Sequence, residues 1–132
     1  MAAKALGRML VVESIPELGR ALRDQQWWVR HNAARALRAI GPRGLEALEK
    51  LVADGDSFAR EQAVLMLEEA GHVDKRAMEL AQDGSAAQKA AKLFFERIVA
   101  SGATGRLRVL SVDHPVEEVR RELLDLLPEE AA

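Results

Sequence analysis

Apolar positions along this chain recur every three or four residues, which is the spacing of amphipathic helices, and the pattern then repeats itself. Residues 22–41 (LRDQQWWVRHNAARALRAIG) align with residues 51–71 (LVADGDSFAREQAVLMLEEAG) at a shift of 30. The matching positions are Asp24 with Asp54, Val29-Arg30 with Ala59-Arg60, Ala33 with Ala63, Leu37 with Leu67, and Gly41 with Gly71. Self-similarity at such a period indicates an array of stacked units.

Helix start and stop signals divide the array into pairs of helices. Ser14 and Pro16 open a first helix that ends near Arg23, and Gly41-Pro42 ends the longer helix that follows. The predicted helices are 2–12, 16–23, 26–40, 43–53, 57–70, 73–82, 86–101, one from about 105 to 113, and one that ends before Pro128. The pattern therefore predicts nine helices in about four and a half repeats.

We expect a single domain over residues 1–132, built from a half repeat and four full repeats. The predicted boundaries are 1–13 for the half repeat, then 14–41, 42–71, 72–102 and 103–128. The helix at 2–12 has no start signal before it and matches a second helix, so the sequence favours a fragment of a longer protein. An N-terminal cap is the alternative.

Composition supports helices and excludes several chemistries. Aromatic residues are 4% of the chain, and the absence of Cys excludes disulfides, thiolate zinc sites and a Cys nucleophile. No apolar run reaches membrane-spanning length and no signal peptide is evident, so we expect a cytoplasmic protein. Net charge is +5 over residues 1–43, −6 over 44–85 and −1 over 86–132. A basic end beside an acidic middle is a feature that a partner could exploit.

The repeat pattern L-x-D-x-x-x-x-V-R-x-x-A-x-x-x-L-x-x-x-G resembles the HEAT-like repeats of the phycobilisome-lyase type. The third repeat departs from this pattern at Gln88, and the fourth has one extra residue before Val119-Arg120. The resemblance implies an all-α, right-handed α-α superhelix, a HEAT-like solenoid. It is unspecific for function, because such arrays serve protein binding, chromophore attachment, regulation and DNA repair.

Charged residues of the motif predict a structural ladder. An aspartate precedes each long helix, where its carboxylate can accept free N–H groups, and an arginine follows about two turns into the helix. The predicted ladder residues are Asp24, Arg30, Asp54, Arg60, Asp113 and Arg120. Each arginine could bond the Asp of its own or the next repeat. Gln88 would interrupt the ladder in the third repeat and leave a weak seam between the second and fourth repeats.

The helix predicted at 26–40 carries the candidate binding residues. Its apolar face is centred on Val29, Ala33, Ala36 and Ile40, which places Trp27, His31, Ala34 and Arg38 on the opposite side. Trp27 and Trp28 cannot both be core residues, so at least one is exposed or covered by a neighbouring repeat. The candidate binding residues are Trp27, Trp28, His31, Arg35 and Arg38. The alternative is that the Trp pair packs over the helix start.

No catalytic, metal or cofactor constellation stands out. The three histidines lie about 40 residues apart, and neither a phosphate-binding glycine loop nor a G-x-S-x-G motif is present. We therefore expect a non-catalytic scaffold that binds a protein partner, with no cofactor. A chromophore-lyase-like subunit is the alternative, and a nucleic-acid-binding protein is a weaker one because the outward charges are mixed. A homodimer through the half repeat is a further hypothesis.

Overall fold

A computed structural model of the chain describes residues 13–129, so the helix predicted at 2–12 lies outside the described residues. The described residues form helices and turns without a strand. The helices are α1 (Ile15–Ala21), α2 (Trp27–Ile40), α3 (Pro42–Asp54), α4 (Ser57–Glu69), α5 (His72–Glu79), α6 (Ala86–Ser101), α7 (Gly105–Asp113) and α8 (Glu117–Leu126). These bounds confirm the predicted all-α fold. The predicted succession of short and long helices is clear in α1–α2 and α5–α6, but α3 and α4 have 13 residues each.

Helix ends coincide with the punctuation in the sequence. Gly41 and Gly102 follow α2 and α6 with φ of 98° and 84°, a conformation that L-residues with a side chain rarely adopt. Pro42 sits in the first turn of α3, where its missing N–H costs no helical hydrogen bond. The third short helix is the least accurate prediction, since α5 ends at Glu79 rather than at residue 82.

The chain divides into two compact units, Met1–Ala70 and Gly71–Ala132. In the first unit α2 packs against α1, α3 and α4, and alanines at these contacts let the helices approach closely. A Cβ at Gly44 of α3 would lie 1.7 Å from the Leu37 carbonyl oxygen of α2, so only glycine fits there. The buried residues with the largest side chains here are Leu22, Leu37, Leu48, Val52, Met66 and Leu67.

The second unit contains two further helix pairs, with α5 packed on α6 and α7 on α8. Its core is built around Phe95, which is fully buried and stacks edge-on against Phe94 with ring centroids 5.2 Å apart. The other large, fully buried side chains of this unit are Val73, Leu80, Ile98, Leu107 and Leu123. Burial of each such side chain contributes about 1.5–3 kcal/mol, which stabilises helices that are individually short.

Candidate functional site

The first turn of α2 presents both tryptophans to solvent. Trp27 is 68% exposed and Trp28 is 53% exposed, and the Trp27 ring lies 6.4 Å from the ring of half-buried His31. Both tryptophans occupy the first turn because Gln26 is the N-cap of this helix. The sequence predicted that at least one tryptophan is exposed or covered by a neighbouring repeat, and the structure shows that both are exposed.

The predicted orientation of α2 was wrong at Ala34. The helical wheel placed Ala34 on the outer side, but Ala34 is fully buried together with Ala33 and Leu37. Because α2 packs against three other helices, its buried face is wider than the stripe that a single partner would require. Val29 and Ala36, the predicted centre of the apolar face, are only half-buried.

Phe58 of α4 extends this exposed aromatic surface into the next repeat. It is 55% exposed, and the Arg30 guanidinium lies 4.4 Å from its ring centroid, close enough for a cation–π contact between α2 and α4. Sequence reasoning did not single out Phe58. The signal was available, because the shift of 30 that aligns Arg30 with Arg60 also aligns Trp28 with Phe58. We call Trp27, Trp28 and Phe58 the aromatic surface.

Arg30 is held in place by the turn that precedes α2. Its Nη1 donates to the backbone carbonyls of Asp24, at 2.8 Å, and Gln25, at 3.1 Å. Arg30 therefore joins the turn before α2 to the ring of Phe58, which it contacts from one side.

The same carbonyl-directed bond recurs in every repeat of the described chain, and it corrects the predicted ladder. Arg60 donates to the carbonyl of Ala53 at 3.3 Å, and Arg120 donates to the carbonyl of His114. Each arginine thus bonds a backbone carbonyl in the turn before its helix or at the end of the preceding helix, rather than an Asp carboxylate. Gln88 does not interrupt the series, because its Nε2 donates to the Leu80 carbonyl at 2.8 Å.

The three ladder aspartates do not cap the long helices as predicted. Asp54 and Asp113 are the last residues of α3 and α7, and among the described residues the Asp24 carboxylate accepts only from the Gln26 N–H in the turn. The cap of α4 is instead Asp56, whose Oδ1 accepts from the Ala59 N–H at 2.9 Å. Asp54 and Asp56 lie only two residues apart before α4, so the sequence spacing did not show which of them caps the helix.

At α8 the Val116 N–H donates to Nδ1 of buried His114, 3.0 Å away. A histidine ring nitrogen thus serves the helix start where the sequence analysis placed an aspartate. His114 is consequently part of a turn, and His72 of α5 lies edge-on to Phe94 with centroids 5.7 Å apart. Within residues 13–129 no three His, Asp or Glu side chains converge on a possible metal position.

The other predicted binding residues differ in what they contact. Arg38 donates to the Glu69 carboxylate at 3.1 Å and to its backbone carbonyl at 3.2 Å, so this arginine links α2 to the end of α4. Arg35 is exposed and has no hydrogen bond or ion pair within the part of the chain that the structure describes. Of the two, Arg35 is the one that is available to a ligand.

Two open clefts lie between neighbouring short helices. One, of about 720 Å³, separates α1 from α3 and is lined mainly by Pro16, Arg43, Glu46 and Lys50. The other, of about 460 Å³, separates α5 from α7, where Arg106 makes a bidentate bond to Asp74 with its shortest contact at 2.9 Å. Neither cleft includes a residue of the aromatic surface. No helix in residues 13–129 is long and apolar enough to cross a membrane.

Paired helices with a recurring arginine, alanine and leucine pattern define a helical-repeat protein. The family model of HEAT repeats matches residues 1–71, and the chain belongs to the HEAT-repeat family. No curated protein and no solved structure matches it. HEAT repeats generally serve as scaffolds for protein interaction and are typically non-catalytic.

Proposed function

We propose that this chain is a non-catalytic HEAT-repeat scaffold or adaptor that binds a partner protein through its aromatic surface. The observation that carries this proposal is the exposure of Trp27, Trp28 and Phe58, each more than half accessible, on the long helices of two successive repeats. Such side chains are costly to leave in water and are well suited to a protein interface.

The contacts within this surface favour binding over simple packing. Trp27 is 68% exposed and Trp28 is 53% exposed, and the Trp27 ring lies near the ring of His31, so more than half of each tryptophan side chain is accessible to a partner. Arg30 holds Phe58 from one side and leaves more than half of that side chain exposed. Tryptophan and arginine are also the residue types that dominate binding hot spots.

Affinity capture with a matched pair of variants tests the proposal. The double variant Trp28→Ala/Phe58→Ala should lose a partner that the wild type retains from a bacterial lysate. Val112→Ala/Leu124→Ala removes two aliphatic side chains that are 71% and 58% exposed and should retain it. Circular dichroism must show equal helix content in all three proteins. Equal loss by both variants, or identical captured proteins in all cases, would contradict a site on the aromatic surface.

The resemblance to repeats of the phycobilisome-lyase type supports a second candidate, a bilin-handling subunit. This candidate predicts that the absorbance of a linear tetrapyrrole changes when it is mixed with the wild-type protein. The spectrum should differ from the one obtained with the Trp28→Ala/Phe58→Ala variant. An unchanged spectrum at saturating protein would exclude it.

A cytoplasmic location remains part of the scaffold proposal, and so does a homodimer through residues 1–13, which light scattering would test.

A further inference from the structure

The long helix that carries the Trp pair has an excess of positive charge. Helix α2 contains Arg30, Arg35, Arg38 and His31 but neither Asp nor Glu. Of these arginines, Arg38 is paired with the Glu69 carboxylate, whereas Arg30 bonds uncharged carbonyl oxygens. Arg30 and Arg35 therefore keep positive charge on the helix that carries the exposed tryptophans.

Helix α4, which carries Phe58, has an acidic residue without a partner among the described residues. Glu61 lies one turn after Phe58 on α4, is exposed, and has no hydrogen bond or ion pair in the described part of the chain. It aligns with His31 at the shift of 30, so corresponding positions of the two repeats differ in charge. Arg60 of α4 donates to the Ala53 carbonyl. Among the charged residues of α2 and α4, those without a hydrogen bond or ion pair in the described part of the chain are therefore Arg35 on α2 and Glu61 on α4.

We propose that the aromatic surface selects an acidic, apolar segment of its partner, with an Asp or Glu facing Arg35 and aromatic or aliphatic residues against Trp28 and Phe58. This inference rests on the proposed protein-binding function and specifies the partner's chemistry. Charge complementarity of this kind contributes specificity and association rate. Apolar contact with the aromatic side chains supplies most of the affinity.

A protein segment fits this surface better than a nucleic acid does. A groove that follows phosphates needs positive charge along its whole length, but Glu61 interrupts it and Arg38 is already neutralised by Glu69. The patch is also short, because it spans the long helices of only two repeats. An amphipathic peptide can place acidic residues on one side of its apolar row and avoid Glu61 on the other.

The tryptophans give a direct assay, since Trp27 and Trp28 are the only two in the chain and Tyr is absent. The probe is a synthetic peptide of about 15 residues in which Leu and Phe recur at helical spacing between Asp and Glu residues. We expect a saturable change in tryptophan emission on titration. A second peptide with Lys in place of each acidic residue should bind at least about tenfold more weakly, because Arg35 then faces a like charge.

Charge-reversal variants test the polarity of the surface with a labelled peptide and fluorescence anisotropy. Arg35→Glu should weaken binding of the acidic peptide by about fivefold to tenfold, and Glu61→Lys should strengthen it severalfold. Lys89→Glu on α6 is the matched control, since Lys89 is exposed and lies outside the aromatic surface. It should leave the affinity within about twofold. Raising the salt concentration should reduce the differences between these variants.

The outcomes separate this inference from the function on which it rests. If the Lys peptide binds as tightly as the acidic peptide, and Phe58→Ala weakens both, the surface binds protein but the charge selection is wrong. If neither peptide binds while the Trp28→Ala/Phe58→Ala variant still loses a captured partner, the acidic segment is likewise refuted. Displacement of the acidic peptide by a short oligonucleotide, with affinity that falls steeply with salt, would overturn the inference in favour of nucleic acid.

Discussion

Replacement of Gln88 tests whether a side-chain bond to the preceding turn stabilises each repeat. Gln88 is 8% exposed and makes two bonds with its amide: Nε2 donates to the Leu80 carbonyl at 2.8 Å, and Oε1 accepts from the Gly84 N–H at 3.0 Å. Its own N–H donates to Oγ of Ser85, the N-cap of α6, which places Gln88 in a capping-box position. Gln88→Met keeps the volume of the side chain and removes both hydrogen bonds made by the side-chain amide.

The structure gives the expected size of the effect. Leu80 is 1% exposed, so its carbonyl would be left without a partner at a cost of about 1–3 kcal/mol. Gly84 is exposed, so water can replace its lost bond for about 0.5 kcal/mol. We therefore expect Gln88→Met to lower the free energy of unfolding by about 2 kcal/mol. At a urea dependence of about 2 kcal/mol per molar, the midpoint should fall by about 1 M.

Gln88→Glu separates the two bonds. A carboxylate can still accept from the Gly84 N–H, and Glu is favourable in a capping box, but it cannot donate to the Leu80 carbonyl and places an oxygen against it. The variant should thus be at least as unstable as Gln88→Met in urea unfolding followed by circular dichroism. Gln82→Met, at an exposed position before α6, should stay within about 0.5 kcal/mol of wild type. A Gln88→Glu protein as stable as wild type would refute the reasoning.

Two further predictions concern the first unit. Gly44→Ala should destabilise the protein by more than about 3 kcal/mol, because its Cβ would lie 1.7 Å from a backbone carbonyl oxygen of α2. Gly105→Ala in the second unit is the control and should be tolerated, because there is open space around the new methyl group. Similar thermal midpoints for the two variants would contradict the close approach of α3 to α2. Asp56→Ala should cost about 1 kcal/mol in urea unfolding through loss of the α4 cap, while Asp54→Ala should cost little, and the reverse order would show that Asp54 is the functional cap.

Sequence periodicity could predict the helices because the relevant signals are local. Gly41 and Gly102 end helices through their own backbone conformation, and apolar residues at every third or fourth position identify a buried face without knowledge of its partner. The orientation of Ala34 was not predictable in this way, since its burial depends on how many helices surround α2. The same limit applies to the site: exposure of the Trp pair followed from one helix, but the contact of Arg30 with Phe58 joins two.

Hydrogen-bond partners were the least predictable feature. The spacing of Asp24 and Arg30 suggested a bond between their charged side chains, but Arg30 donates instead to the backbone carbonyl oxygen of Asp24. A long donor side chain can satisfy an exposed carbonyl at the end of a turn as well as a carboxylate, and the sequence records only the donor. Glutamine is a donor too, so the apparent interruption at Gln88 reflected a chemical expectation that was too narrow.

The use of backbone carbonyls as acceptors has a consequence for how such repeats can diverge. A carbonyl oxygen is present whatever residue occupies the turn, so the turn sequence can drift without loss of the bond, and the donor can change from Arg to Gln if its length and register adjust together. The match to the HEAT-repeat model ends at residue 71. The third repeat, in which Gln88 replaces the arginine and the register shifts, follows that point. The connection between paired helices can thus outlast the sequence pattern by which the repeats are recognised.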